Sequence, residues 1–324
     1  MTATRTFAIG TRASALALWQ TERVRERLAG AGYPTNRIEI RTTGDLIQNV
    51  PLSGIGSRAL FTRQIDDAML EGRIDLAVHS LKDLPTVLPP GIALAAVSER
   101  EDPRDALVSR DGARWASLPE GSVVATSSLR RRAQLLHLRP DLHVADIRGN
   151  VDTRLAKLGA RAEWAGIILA AAGLVRLGQA HRISERLDPE IMLPAPGQGA
   201  LAVTARADDA AALAAARGAI HDPATASAVA AERAFLRRLE GGCQVPVAAY
   251  AEPSGNGEAT LRLRGRVVSL LGERAAEGAV VGPVRDEAEA EAIGLGLAER
   301  LLGEGADEIL ASVRAAGAPP IAEP

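Results

Sequence analysis

The stretch SVVATSSLRRRAQLLHL, residues 122–138, changes its hydrophobic rhythm once, in the middle. Val123, Val124 and Ala125 read as a short buried strand. Thr126, Ser127 and Ser128 break the apolar run, and the residues from Leu129 onward are good helix formers. Serine is a favoured helix cap, so the stretch predicts strand, hydroxyl-rich turn and capped helix in succession.

The same step recurs along the chain. TFAIG (6–10) reads as a strand, followed by a helix capped by Ser14, with Leu16, Trp19 or Gln20, Val24 and Leu28 along one face. NRIEI (36–40) is a second strand, FTRQIDDAMLEG (61–72) a short helix stopped by Gly72, and RIDLAVHS (73–80) a third strand. GIALAAVS, DALVS, LHVADI and AGIILA are further strand candidates, and VDTRLAKL and an Ala-rich run near 208–217 are further helices. Strand-then-helix alternation predicts an α/β fold of open, mostly parallel sheets covered by helices. Beyond about residue 218 the pattern changes. HDPATASAVAAERAFLRRLEGG has Asp222 as cap, Pro223 at the first helical position and Gly241 at the stop. VPVAAYA, TLRLRGRVVSL and GAVVGPV then read as an antiparallel meander, with a closing helix whose stripe is Ala290, Ile293, Leu297 and Leu301. That is a separate small α+β unit.

The 324 residues are 47% hydrophobic and 24% charged, with a net charge of −2. No global field attracts nucleic acid, no apolar run is long enough for a membrane span, and the N-terminus does not read as a signal peptide. A single cysteine argues for a reducing cytoplasm, and the scattered histidines 79, 137, 143, 181 and 221 suggest no metal site. Of 38 basic residues only Lys82 and Lys157 are lysines. Base composition explains most of the arginines, but not their placement at strand-to-helix turns. Arg130, Arg131 and Arg132 open the helix after the hydroxyl turn. Arg148 precedes the turn Gly149–Asn150, with Arg154 one turn into the next helix. Arg12 and Ser14 follow the first strand, and Arg176 lies behind a buried one. Helix starts attract anions and arginine forks match carboxylates, so these turns together predict a site for a polyanion, phosphate or several carboxylates. No nucleotide-binding glycine motif favours phosphate.

Asp83, in DLAVHSLKDLP (75–85), stands at a strand end where a carboxylate can act as general acid or base, or pair with Lys82. Cys243, in LEGGCQVP (239–246), sits among glycines in a loop rather than in a core strand. Such a thiol suits a tether or a nucleophile more than packing filler.

Eight stretches, in order, resemble the porphobilinogen deaminase (hydroxymethylbilane synthase) family: GTRASALALWQ, DLAVHSLKDLP, EREDPRDALVS, ATSSLRR, RGNVDTRL, AAGLVRLG, LPAPGQGAL and LEGGCQVP. The resemblance implies two lobes like those of type II periplasmic binding proteins, with mixed, mostly parallel sheets, plus the C-terminal α+β domain. Domain 1 is then discontinuous, at 1–99 and 194–217, domain 2 spans 100–193 and domain 3 spans 218–324. It further implies an enzyme, a transferase of tetrapyrrole and heme biosynthesis that joins four porphobilinogen molecules head to tail with loss of ammonia. The chain grows on a dipyrromethane cofactor held by a thioether to Cys243, and water releases hydroxymethylbilane.

Asp83 matches the catalytic aspartate. Lys82, Thr126, Ser127, Ser128, Arg130, Arg131, Gln198 and Gly199 match cofactor-binding positions, and Arg12, Ser14, Gln20, Arg148, Asn150, Arg154 and Arg176 match substrate-binding ones. The expected partner is the small-molecule substrate alone, with no nucleic acid, membrane or metal, and the expected state a monomer in the cytoplasm. The chain departs from the family at GSRALF (56–61), where Arg58 stands in a usual lysine position, and at Gly54 and Thr43. A non-catalytic two-lobed polycarboxylate-binding protein would explain the arginines but not Asp83 and Cys243; a cysteine hydrolase would explain only the thiol.

Overall fold

A computed structural model describes residues 5–42, 62–239, 245–254 and 260–315. These form two compact units, one from residues up to 101 together with 199–226, the other from 102–198 together with 227 onward.

In the first unit the described strands form one sheet, running from edge to edge as β2 (Thr35–Glu39), β1 (Phe7–Thr11), β3 (Leu76–Ser80), β10 (Leu201–Arg206) and β4 (Ile92–Val97). β1 is parallel to β2 and β3, whereas β10 is antiparallel to both its neighbours. The second unit repeats the arrangement with β7 (His143–Ala145), β6 (Val123–Ala125), β8 (Trp164–Ala170), β5 (Asp105–Ser109) and β9 (Glu185–Arg186). Here β6 is parallel to β7 and β8, and β5 is the antiparallel member. Both are thus mixed, mostly parallel sheets, as the sequence predicts. The antiparallel strand matters for function. Ligands of open α/β sheets meet the carboxyl ends of the parallel strands, and an antiparallel strand brings its beginning to that same end. Leu201 accordingly lies opposite Ser80, and Asp105 opposite Ala170.

Helix α1 (Ala15–Gly30) is capped as expected, the Ser14 hydroxyl accepting from the Ala17 N–H at 3.3 Å. Of the stripe read from the sequence, Gln20, Val24 and Leu28 face inward together with Thr21, while Leu16 is half-buried and Trp19, the alternative to Gln20, is exposed. Gln20 turns inward because its amide donates to the Ser80 hydroxyl at 2.8 Å, fixing the helix to the end of β3. Beneath it Ile9, Leu76 and Val203 are completely buried, each contributing about 1.5–3 kcal/mol relative to exposure.

Two buried titratable groups of this unit oppose each other as pH changes. Burial and the nearby Arg12 charge push the His79 imidazole down to about 4. Burial, aided by Asp67 and opposed by Thr62, pushes the Asp66 carboxyl up to about 6. As pH falls from 6.5 towards 4, the unfolded chain protonates His79 and the folded one does not, so this group removes stability. Asp66 is protonated first in the folded state, so over much the same window it adds stability. Denaturant unfolding should therefore show His79→Gln gaining about 3 kcal/mol on the native protein between pH 7 and pH 4. Parallel pH profiles for the two proteins would contradict this.

The second unit also contains the antiparallel meander β11 (Val247–Pro253), β12 (Thr260–Val268) and β13 (Ala275–Pro283). Helices α7 (Pro223–Arg238) and α8 (Glu287–Leu301) pack against it through Phe235, Leu263 and Leu297. Asp222 caps α7 as predicted, accepting from the Thr225 N–H at 2.8 Å. The two helices touch at Gly294, where a Cβ would lie 2.1 Å from the Ala231 carbonyl oxygen. Gly294→Ala is expected to cost about 1–3 kcal/mol of stability, and an unchanged denaturation midpoint would contradict that contact. The meander joins the five-stranded part of its unit through His137, whose Nδ1 lies 2.7 Å from the Gly272 carbonyl oxygen, and Arg266, which donates to Gln134 Oε1 at 3.0 Å. The lobe expected over 100–193 and the unit expected from 218 thus share one compact body.

Candidate active site

In the first unit Asp83 ends a single 3-10 turn, Leu81–Asp83, that directly follows β3. Buried Leu81 anchors the turn, its N–H donating to the Ala200 carbonyl at 3.1 Å, and Pro85 prevents further strand pairing. Asp83 is left exposed, and among the described residues its carboxylate joins no ion pair and accepts no hydrogen bond. It is not tied to the half-buried Lys82 beside it. Arg12, Ser14 and Gln20 follow the neighbouring strand β1. Since β1 and β3 are parallel and paired, all five residues lie at one end of the sheet. Gly199 precedes β10 at φ +95°, and a Cβ there would meet the Glu101 carbonyl oxygen at 2.2 Å. Its position demands glycine on backbone grounds alone.

In the second unit β6, β7 and β8 deliver the other candidates to the carboxyl end of their sheet. The hydroxyl turn is held by local bonds, with Ser127 both donating and accepting and Thr126 and Ser128 each accepting one backbone N–H. Thr126 Oγ1 accepts from the Ser128 N–H at 3.2 Å, the Ser127 hydroxyl donates to the Ile147 carbonyl and accepts its N–H, and Ser128 caps α3 (Leu129–Leu138). Asn150 caps α4 (Val151–Ala160), its Oδ1 accepting from Thr153 N–H at 2.9 Å, while Arg154 Nε donates to the Gly149 carbonyl at 2.8 Å. Arg148 is half-buried and, among the described residues, its guanidinium has no acceptor. Arg176 ends the short helix α5 (Ala171–Arg176) behind β8.

Arg130 and Arg131 are not on a solvated helix face. Both are about 5% exposed, and both grip the wholly buried Asp105. Arg130 Nη1 donates to Asp105 Oδ2 and to the Leu193 carbonyl, at 2.7 and 2.8 Å. Arg131 Nε and Nη2 converge on Asp105 Oδ1 at 3.0 and 2.7 Å, and its Nη1 donates to the Ile168 carbonyl. Gln198 Nε2 adds a third donor to Oδ1 at 3.0 Å. Burial alone would raise the Asp105 pKa. The two guanidiniums and the Gln198 amide outweigh it and hold the carboxyl well below its ordinary value. Two cations share one anion, leaving an excess positive charge in a buried place. Arg130 Nε and Nη2, moreover, have no acceptor among the described residues.

Asp105 is the residue that sequence reading missed. It stands as the one acid in DALVS, a strand otherwise buried and uncharged, and an acid at the head of such a strand is the signal that was available. A cavity of about 720 Å³ in the same unit, lined by Asp102, Arg104, Asp188, Tyr250 and Arg264 among others, contains none of the candidate residues. Its Asp102 and Arg264 are already held in ion pairs. Cys243, Gly241 and the family departures at Thr43, Gly54 and Arg58 lie outside the described residues.

Family models add what geometry does not name. Residues 7–214 match porphobilinogen deaminase, dipyromethane cofactor binding domain. The chain belongs to the porphobilinogen deaminase family. Residues 226–303 match the C-terminal domain of porphobilinogen deaminase. The porphobilinogen deaminase of Syntrophotalea carbinolica is 51% identical over 94% of this chain and 95% of its own length, and that of Geobacter metallireducens 50% identical over 94% of each. Among solved structures, the methionine-binding protein MetQ aligns with 66% of this chain and 89% of its own at 12% identity and a TM-score of 0.41. Two of the stretches that carry the resemblance, DLAVHSLKDLP and ATSSLRR, hold Asp83 and the buried arginine pair.

Proposed function

We propose that this chain is a hydroxymethylbilane synthase, a transferase that condenses four porphobilinogen molecules stepwise with loss of ammonia. The observation that carries this reading is the Arg130–Asp105–Arg131 cluster, whose excess buried charge suits a ligand bearing a carboxylate on every ring. The same donors fit a dipyrromethane cofactor, with Arg130, Arg131 and Lys82 proposed as carboxylate partners and Cys243 as the thioether tether. When bound, that cofactor supplies the pyrrole carbon to which substrate is added. Thr126, Ser127 and Ser128 are proposed to support it indirectly, by holding the turn that aims Arg130, and Gln198 and Gly199 by shaping the strap before β10.

Asp83 is proposed to act on the substrate. As ammonia departs from porphobilinogen, positive charge develops on the pyrrole nitrogen and its methylene, and a carboxylate hydrogen-bonded to that N–H stabilises it. The same group can give a proton to the leaving amine and later assist removal of the proton from the attacked ring. Its lack of a partner among the described residues supports this role. Arg12, Arg148, Arg154 and Arg176, with Ser14, Gln20 and Asn150, are proposed to hold acetate and propionate groups. Product release then needs only water.

Incubation of the purified protein with porphobilinogen should release one ammonia per porphobilinogen consumed and yield a linear tetrapyrrole. Porphobilinogen binding without ammonia release would instead mark a binding protein. The three-domain division (1–99 with 194–217, 100–193, 218–324), a monomeric state and a cytoplasmic location complete the proposal. Among the described residues no helix is long and apolar enough to cross a membrane. Light scattering should give the mass of a single chain.

A further inference from the structure

Glu232 lies in the interior of α7 and is completely buried. Its two carboxylate oxygens each accept a backbone N–H: Oε2 from Gly197 at 2.7 Å and Oε1 from Ala251 at 2.8 Å. Gly197 belongs to the strap 193–198, which meets Arg130 through Leu193 and the shared acid Asp105 through Gln198. The Leu193 carbonyl accepts from Arg130 Nη1 and from Gln134 Nε2, and the Leu193 N–H donates to Gln134 Oε1. The Pro194 carbonyl accepts from the Ala249 N–H at 3.2 Å, and Gln198 Nε2 donates both to the Pro103 carbonyl and to Asp105. Gly197 has φ +75°, so the strap turns sharply at the residue Glu232 holds. A buried carboxylate accepting backbone N–H groups makes short, strong bonds and tolerates little displacement.

We propose that Glu232 is a positioning residue for the reaction: through Gly197 it fixes the turn that aims Gln198 at Asp105, and thereby sets the orientation of Arg130 and Arg131. This deepens the function proposed above and rests on it. No atom of Glu232 need approach the substrate. Its effect travels through one peptide and one side-chain amide, and it falls on the arginines that hold the primer rather than on the incoming porphobilinogen. Loss of that support should therefore appear in kcat more than in KM.

The test uses the full-length holoenzyme at 25 °C with porphobilinogen. Glu232→Gln keeps the shape but puts an amide NH2 where an acceptor stood. It is expected to lower kcat about 10- to 100-fold, by analogy with the loss of hydrogen-bond partners that orient metal ligands, with KM within about threefold. Gln198→Ala should do the same by cutting the path further along, and the double variant should be no slower than the slower single, since both sever one connection. Phe235→Leu, three residues on in the same helix and packed in the core, should lower the melting temperature and leave kcat unchanged. Multiplicative losses in the double variant, or native kcat in Glu232→Gln, would overturn the proposal. Should Glu232→Gln fail to fold, native kcat in Gln198→Ala overturns it. An inactive native protein would count against the proposed function itself, whereas an active native protein with indifferent variants counts only against Glu232.

Discussion

Replacing Asp83 by asparagine should leave a folded, cofactor-bearing protein that binds porphobilinogen and hardly turns it over. The side chain is exposed, ends a single turn, and has no partner among the described residues, so its removal leaves no buried group unsatisfied. Stability should change by less than about 0.5 kcal/mol, as for most surface positions. The chemistry, in contrast, loses both a negative charge beside a developing cation and a group able to carry a proton. Loss of one electrostatic stabiliser costs about 10²–10³ in kcat and loss of a general acid–base about 10²–10⁴. A fall of at least about a hundredfold in kcat, with little change in KM, is expected in single-turnover ammonia release. A variant with native kcat would remove Asp83 from the mechanism.

The second large effect is expected at Asp105. Asp105→Asn leaves two guanidiniums, each about 5% exposed, without their shared anion. Breaking a buried ion pair by removing one partner costs about 3–5 kcal/mol, and denaturant unfolding should show a loss of that size at neutral pH. The acid limb should change as well. Because the folded-state pKa of Asp105 is depressed, its contribution is complete above the ordinary carboxyl range near 4 and disappears as pH falls below it. The gap between native and variant proteins should therefore narrow steadily on acidification below about pH 4. Equal stabilities at neutral pH would mean that the arginine pair does not depend on this carboxylate.

The parts of the molecule that could be read from the sequence are those fixed by neighbours in the chain. Ser14 and Asp222 cap the helices they precede because each cap bond spans only three residues. The strand-to-helix turns that gather arginines could be read for the same reason. What escaped depends on pairings distant in sequence. Asp105 reaches the arginines because β5 runs antiparallel to β8, and nothing within DALVS announces that direction. The choice between Trp19 and Gln20 for the buried stripe of α1 is made by Ser80, sixty residues away in sequence, to which the Gln20 amide donates. Of the three hydroxyls at the turn, that of Ser127 is taken up by Ile147, a partner twenty residues away that the turn itself does not announce. Arg130 and Arg131 were expected to serve a carboxylate. They first serve one of the protein's own.

Intact mass under denaturing conditions tests most directly whether a pyrrole primer hangs from the chain's lone thiol. Protein produced in cells that make porphobilinogen should exceed its polypeptide mass by two linked pyrroles, and Cys243→Ser should show the polypeptide mass alone. Native protein that is active on porphobilinogen yet carries no added mass, or a Cys243→Ser variant that still carries it, would contradict the account.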